Sequence, residues 1–342
     1  MGMKIERNLT APLVRAGEDA LRAETDGFDA VWSGEAANDP FLPLALAATS
    51  APSIELGTGI TVAFARSPMT VAAAAWDLQR LSGGRFTLGL GSQVRAHIER
   101  RYSMPWSKPA DRMREYVQAV LAIWEAWETG GPLAFRGEFY RHDLAPPFFR
   151  PRPLKRPRPK IFVAAVGPLM TSVASEVADG AILHAFTTAE YMRDRSLPPI
   201  EASLAASGRS RAEWQIVQPA MVATGTTEEE MQAAMAGVRS QIAFYGSTPA
   251  YRPVLDLHGW GDLQVELHDL VSQGRWSDLS RCIDDETLAA FAVVGQPDTI
   301  VDQVEDRFDG LVDRVILHTP YRVSDDLAAA ISKQLLERKR PT

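Results

Sequence analysis

Three groups of residues have types and spacings that could do chemistry. The first is Ala164-Ala-Val-Gly-Pro168, where an apolar run turns directly into a helical pattern. Pro168 suits a first helical position because its missing N–H would lack a partner there, and Gly167 permits a tight turn. The N–H groups of Val166, Gly167, Leu169 and Met170 could then face an anion, such as a phosphate, at the positive helix end. A purely structural turn accounts for the same residues. The second is Glu35, an acid or base if burial raises its pKa, or a solvent-facing glutamate near a helix start. The third is the set of six histidines. His97, His142, His184, His258, His268 and His318 show no i, i+4 pairing and no His-Glu-x-x-His, so no metal is expected. His97 and His184 stand behind Glu35 as proton-transfer groups, although His97 could equally cap or be solvated beside Arg100 and Arg101. No Gly-x-Ser-x-Gly elbow is present, and Gly89-Leu-Gly91 lacks the third glycine of a dinucleotide fingerprint.

These residues must be positioned by regular elements, and the pattern of those is legible. Short apolar or β-branched runs fall at 4–7, 30–32, 55–62, 85–90, 160–165, 180–183, 215–222 and 313–317. Helical periodicity fills most of the intervals, with sensible punctuation. Asp39 precedes a helix over 40–51, Ser67 one over 68–82, and further helices are expected over 109–128, 168–178, 228–244, 298–308 and 325–338. Eight strands alternating with helices predict a parallel sheet closed into a single (β/α)8 TIM barrel over 1–342. Two insertions interrupt it, at about 131–158 and 245–291. Active sites of such barrels lie beyond the C-terminal strand ends, which collects Glu35, Thr61, Ser92, Gln93, Val166, His184, Gln218 and His318 on one face.

Composition narrows the class. The 342 residues are 46% hydrophobic and 23% charged, which excludes disorder and coiled coil as whole-chain descriptions. Lys and Arg number 36 against 43 Asp and Glu, a net charge of -7, so nucleic acid is not an expected partner. The lone Cys282 makes no intramolecular disulfide, and no apolar stretch reaches membrane-spanning length. A cytoplasmic protein without membrane association is expected. The run 150–160 holds six basic residues and four prolines, and is expected to be a solvated polyproline connector.

Several segments together resemble the bacterial luciferase-like monooxygenase superfamily, in its branch of oxidoreductases dependent on coenzyme F420. They are Gly27-Phe-Asp-Ala-Val-Trp-Ser-Gly-Glu35, Leu56-Gly-Thr-Gly-Ile-Thr61, Leu81-Ser-Gly-Gly-Arg-Phe-Thr-Leu-Gly-Leu-Gly-Ser92, Val163-Ala-Ala-Val-Gly-Pro168 and Val294-Gly-Gln-Pro297. The resemblance implies a deazaflavin lying across the strand ends, backed by a non-prolyl cis peptide at Gly59–Ile60. It further implies that Ser92 and Gln93 contact the ring and its side chain, with Gly59, Ile60, Thr61 and Gly91 also binding the cofactor, and a phosphate cradle at Val166, Gly167, Pro168, Leu169 and Met170. It also implies a homodimer through the helices expected over 40–51 and 68–81. The chain departs from the family in having Glu35 where many relatives place a histidine.

The activity so implied is hydride transfer between F420 and a small-molecule substrate, with Glu35 as the first acid or base and His97 and His184 behind it. An FMN-dependent monooxygenase using oxygen is the alternative on the same fold. A non-catalytic flavin-binding barrel is a third.

Overall fold

The computed structural model describes residues 2–340. Each of the eight expected runs is a strand: β1 Lys4–Asn8, β2 Ala30–Ser33, β3 Glu55–Thr58, β4 Phe86–Gly91, β5 Lys160–Ala164, β6 Gly180–Ile182, β7 Gln215–Ala223 and β8 Arg314–His318. Consecutive strands pair in parallel, and β8 pairs with β1, so the sheet closes on itself. The result is a (β/α)8 barrel.

The third run does not continue unbroken to residue 62. β3 stops at Thr58, the Gly59–Ile60 peptide is cis, and Thr61–Val62 resumes as a short strand against the end of β4. A further parallel segment, Ala292–Val294, adds to the upper end of β7 outside the barrel. The sequence pattern did not reveal it, because three residues are too few to show periodicity.

Capping residues act as their chemistry suggests. Asp39 accepts the N–H groups of Phe41 (2.8 Å) and Leu42 (3.3 Å) at the start of helix Phe41–Ser50. Ser67 caps Pro68–Leu81 through Thr70 N–H at 3.3 Å. Among the helices that the periodicity did not reveal is one after β6. Leu197–Ala206 follows a π-helical turn, Met192–Ser196, between β6 and β7. Its Pro198 and Pro199 suggest a break, yet both lie in the first turn, where no N–H is needed.

The barrel interior is layered. Trp32, Phe162, Ile182, Val217 and Ile316 form an apolar plug. Beneath it Arg314 Nε donates to the buried Glu6 carboxylate at 2.6 Å, and Trp32 Nε1 donates to the same carboxylate at 2.6 Å. The plug separates this ion pair from the mouth, where the strand ends lie.

The two insertions differ in kind. Residues 131–158 carry a hairpin, Phe135–Arg136 with Arg141–His142, and then the basic proline-rich strap. The strap lies on the barrel's outer helices. Trp76 Nε1 donates to the Arg152 carbonyl at 3.2 Å, Gln79 Nε2 to the Pro157 carbonyl at 2.9 Å, and Leu154 is buried. That is the behaviour of a connector. Residues 245–291 instead build helices Arg252–Leu257, Gly261–Ser272 and Asp285–Phe291, which share a second apolar cluster with helix Glu228–Gly246, the end of β7 and Phe186 from the loop after β6. No described helix is long and apolar enough to cross a membrane.

Candidate active site

On the β2–β4 side, glycines allow the backbone to stack closely. A Cβ on Gly34 would meet the Gly59 carbonyl oxygen at 3.0 Å, and one on Gly91 would meet the Ile60 side chain at 2.6 Å. Ile60 therefore lies flat over Gly91 and packs against the Trp32 cluster, half-exposed at the mouth. Glu35 N–H donates to the Ile60 carbonyl at 3.0 Å, and Gly59 N–H to the Ser33 carbonyl at 2.9 Å. Thr61 Oγ1 is buried with no hydrogen-bond partner among the described residues.

Glu35 is not solvent-facing. Its side chain is 5% exposed and both oxygens are occupied. Oε2 accepts the Val62 N–H at 2.8 Å, and Oε1 accepts from Arg66 at 2.9 Å and the Tyr102 hydroxyl at 3.1 Å. Arg66 also pairs with Asp39 at 3.0 Å. Burial works against the Arg66 charge, but the hydrogen bond and charge of Glu35 outweigh it and hold its pKa up. Burial and the Glu35 charge raise the Tyr102 phenol above its usual value. This cluster grips the chain just after the cis peptide.

Ser92 and Gln93 follow directly from β4. Gln93 has a left-handed backbone, φ 58°, and its Oε1 accepts the Val94 N–H at 3.0 Å, while Ser92 Oγ donates to the Gln93 carbonyl at 3.2 Å. Both side chains thus tie the turn. His97 lies exposed on the short helix Arg95–Arg100 beyond it, where its carbonyl accepts the Tyr102 N–H at 3.0 Å.

The turn after β5 opens helix Pro168–Val177 with Pro168 in the first turn, no side-chain cap and no acidic residue there. Gly167 was expected to permit a tight turn, and the turn makes no use of that freedom. Its φ of -111° and ψ of 165° are extended backbone that any residue adopts. What glycine provides is space, since a Cβ there would meet nothing within 4 Å. Val166 and Leu169 flank it at 52% and 75% exposed, and the first-turn N–H groups of Leu169 and Met170 have no intrahelical carbonyl to reach.

Across the mouth, His184 sits just beyond β6 among aromatic rings. Tyr251 stacks on it with centroids 4.5 Å apart, and Tyr245 meets it edge-on at 4.6 Å. Phe186 N–H donates to His184 Nδ1 at 3.0 Å, so the neutral ring carries its proton on Nε2, which lies 3.1 Å from the Tyr251 hydroxyl. Burial, with a smaller contribution from His318, pushes the His184 pKa down to about 4. His318, at the end of β8, is likewise lowered by burial, and its Nε2 has no partner among the described residues. Thr188 Oγ1 contacts His258 Nε2 at 2.9 Å, which fastens the 245–291 segment to the same loop.

The luciferase-like monooxygenase family model matches residues 4–314. The chain belongs to that family. It is 51% identical over 314 residues to an uncharacterized protein of Mycobacterium tuberculosis, covering 92% of each chain. To the 5,10-methylenetetrahydromethanopterin reductase of Archaeoglobus fulgidus it is 28% identical over 307 residues, 87% of each chain. Its fold superposes with a TM-score of 0.81 on the coenzyme F420-dependent tetrahydromethanopterin reductase of Methanopyrus kandleri, at 21% identity, over 99% of this chain and 100% of that one.

As a luciferase-like monooxygenase family member, the chain has side chains at the mouth that fit a planar cofactor with an anionic tail. Thr61 Oγ1 is a buried polar atom awaiting a partner, Ile60 with its supporting glycines offers a flat surface, and the turn at Val166–Met170 offers open space and free N–H donors. Tyr245, at the end of helix Glu228–Gly246, and Tyr251, in the short turn after it, were missed as site residues because both lie more than sixty residues past His184 in sequence. The only sequence signal was that the second insertion is rich in aromatic residues and histidine.

Proposed function

We propose that this luciferase-like protein is an F420-dependent oxidoreductase that transfers a hydride between the deazaflavin and a small organic substrate. The observation that carries the reading is the pairing of a flat, glycine-backed platform at Ile60 with an uncapped, acid-free helix start at Val166–Met170. A ring needs the first and a phosphate the second. The F420-dependent reductases among its relatives and structural neighbours support the same cofactor.

When bound, F420 supplies a two-electron hydride site at its C5. The chain's own residues do the rest. Ile60 and Thr61 would seat the ring, Gly91, Ser92 and Gln93 shape its edge, and Val166–Met170 hold the phosphate. Glu35 now stands as a positioning residue, since its carboxylate is already committed to Val62, Arg66 and Tyr102. Proton handling passes to Tyr251, with His184 as its hydrogen-bond partner. With Nδ1 held by Phe186 and Nε2–H directed at the Tyr251 oxygen, the tyrosine hydroxyl proton is left to be donated to a substrate oxygen as charge develops there. The neutral histidine gives up no proton itself: its Nε2–H stabilises the tyrosyl oxygen as the phenol proton leaves, and solvent returns that proton.

The test is a parallel titration of the purified protein with F420 and with FMN, followed by fluorescence and calorimetry. Saturable F420 binding with FMN at least about tenfold weaker is expected. FMN binding more tightly, with oxygen consumed in the presence of reduced flavin, would replace this reading with the oxygen-activating one. Where F420 is preferred, substrate and direction are sought by following the deazaflavin absorbance.

A further inference from the structure

A cavity of about 540 Å³ lies outside the barrel wall, between helix Ala16–Thr25 and the final helix, Asp325–Arg338. The proposed hydride chemistry does not use it. Its inner wall is the outer face of β1 and β8, where Arg7 and Leu317 are register partners. Arg7 must point outward, because its neighbour Glu6 points inward to Arg314 and side chains alternate along a strand. Phe28 and Ile331 add apolar surface, and Ala328 is the small residue that leaves room on the final helix. The loop after β8 forms the upper rim with Tyr321 and Arg322.

The charges around this cavity are unequally satisfied. Asp19 is paired with Arg7 and also accepts the N–H groups of Thr10 (3.0 Å) and Ala11 (3.2 Å). Asp325 and Asp26 both pair with Arg22, at 3.0 and 3.7 Å. Of the three cations, Arg22 serves two carboxylates and Arg7 donates to Asp19, which leaves donor capacity on Arg7 and Arg322. Arg7 lies over the Phe28 ring at 5.6 Å, with its Nε buried and without a partner among the described residues. Arg322 is exposed at the rim and joins none of the ion pairs among the described residues.

We infer that this cavity binds a small amphipathic anion, its aromatic or aliphatic body against Phe28, Leu317 and Ile331 and its carboxylate or sulfonate met by arginine donors. The volume lies within the range of small-molecule sites, about 300–1,000 Å³. The matching of an apolar body with a charge-assisted head contact accounts for both halves of the lining. The site is separate from the cofactor platform, which is built on β2–β5.

A matched pair of probes tests this. 8-Anilinonaphthalene-1-sulfonate and N-phenyl-1-naphthylamine share an aromatic body, and only the first carries an anion. Fluorescence titrations of the full chain, with and without saturating F420, should give one saturable site for the sulfonate. It should bind about tenfold or more tightly than the neutral probe and stay unaffected by F420. Ala328→Trp should weaken it about tenfold or more by filling the space, and Arg322→Glu should abolish the preference for the sulfonate. Displacement by F420, equal affinity of the two probes, or an unchanged Arg322→Glu preference would each overturn the inference. The Arg322 variant changes an exposed side chain, so the test decides even where Ala328→Trp does not fold.

Discussion

His184 is a histidine that folding keeps neutral, and that has a measurable consequence. Its pKa is near 4 in the folded chain and near 6.5 when unfolded. Between those values the unfolded chain binds a proton that the folded chain does not. Stability is therefore full above about pH 6.5 and falls as pH drops toward about 4, by up to ~3 kcal/mol from this group. Denaturant melts at pH 7 and pH 5 should show that loss, and His184→Gln should reduce the pH slope without removing it, because His318 shifts the same way. An identical slope in the variant would mean His184 is solvated and titrates normally. Glu35 makes a contrasting case. Glu35→Ala strips Val62, Tyr102 and Arg66 of their shared acceptor, although Arg66 keeps Asp39. The expected cost is about 2 kcal/mol of stability, with F420 affinity lowered because the loop it grips carries Ile60. Glu35→Gln should recover part of both. Intact stability and cofactor affinity with abolished turnover would return Glu35 to the role of acid or base.

The turns at the strand ends show how two glycines serve opposite needs. Gly91 is crowded by Ile60, so Gly91→Ala should tilt the platform, with about 1–3 kcal/mol of overpacking cost and weaker cofactor binding. Gly167 faces open space, so Gly167→Asp should leave the melting curve nearly unchanged while repelling a phosphate and cutting F420 affinity about tenfold or more. Unaltered affinity would place the phosphate elsewhere. The strands, most helices and the caps at Asp39 and Ser67 were legible because each depends on local pattern: alternation, periodicity and a capping side chain next to the helix it starts. The break at Thr58, the helix Leu197–Ala206 and the Tyr251–His184 contact were not. Those depend on which distant residues meet, such as Ile60 over Gly91 or an inserted tyrosine over a strand end, and a linear pattern carries no record of that.

Across the whole molecule, helix Phe41–Ser50 leaves Leu42 and Leu46 55% and 41% exposed, and Leu81 at the end of Pro68–Leu81 is 48% exposed. We propose that these helices form the contact of a homodimer, as the resemblance implies. Sedimentation should report a dimer for the native chain, and Leu42→Glu with Leu46→Glu should shift it to monomer without unfolding the barrel. A native monomer would end that proposal. The closure of β8 on β1 also sets a timetable for biosynthesis. Glu6 meets Arg314 across 308 residues of chain. At 5–20 residues per second, a ribosome would take roughly 15–60 s to deliver the arginine after the glutamate. During that interval the nascent chain has its first strand but neither the second neighbour that would hydrogen-bond its free edge nor the cation its carboxylate is buried against. Folding of the first strand is therefore completed late, once the strand carrying Arg314, 308 residues after Glu6, has been made.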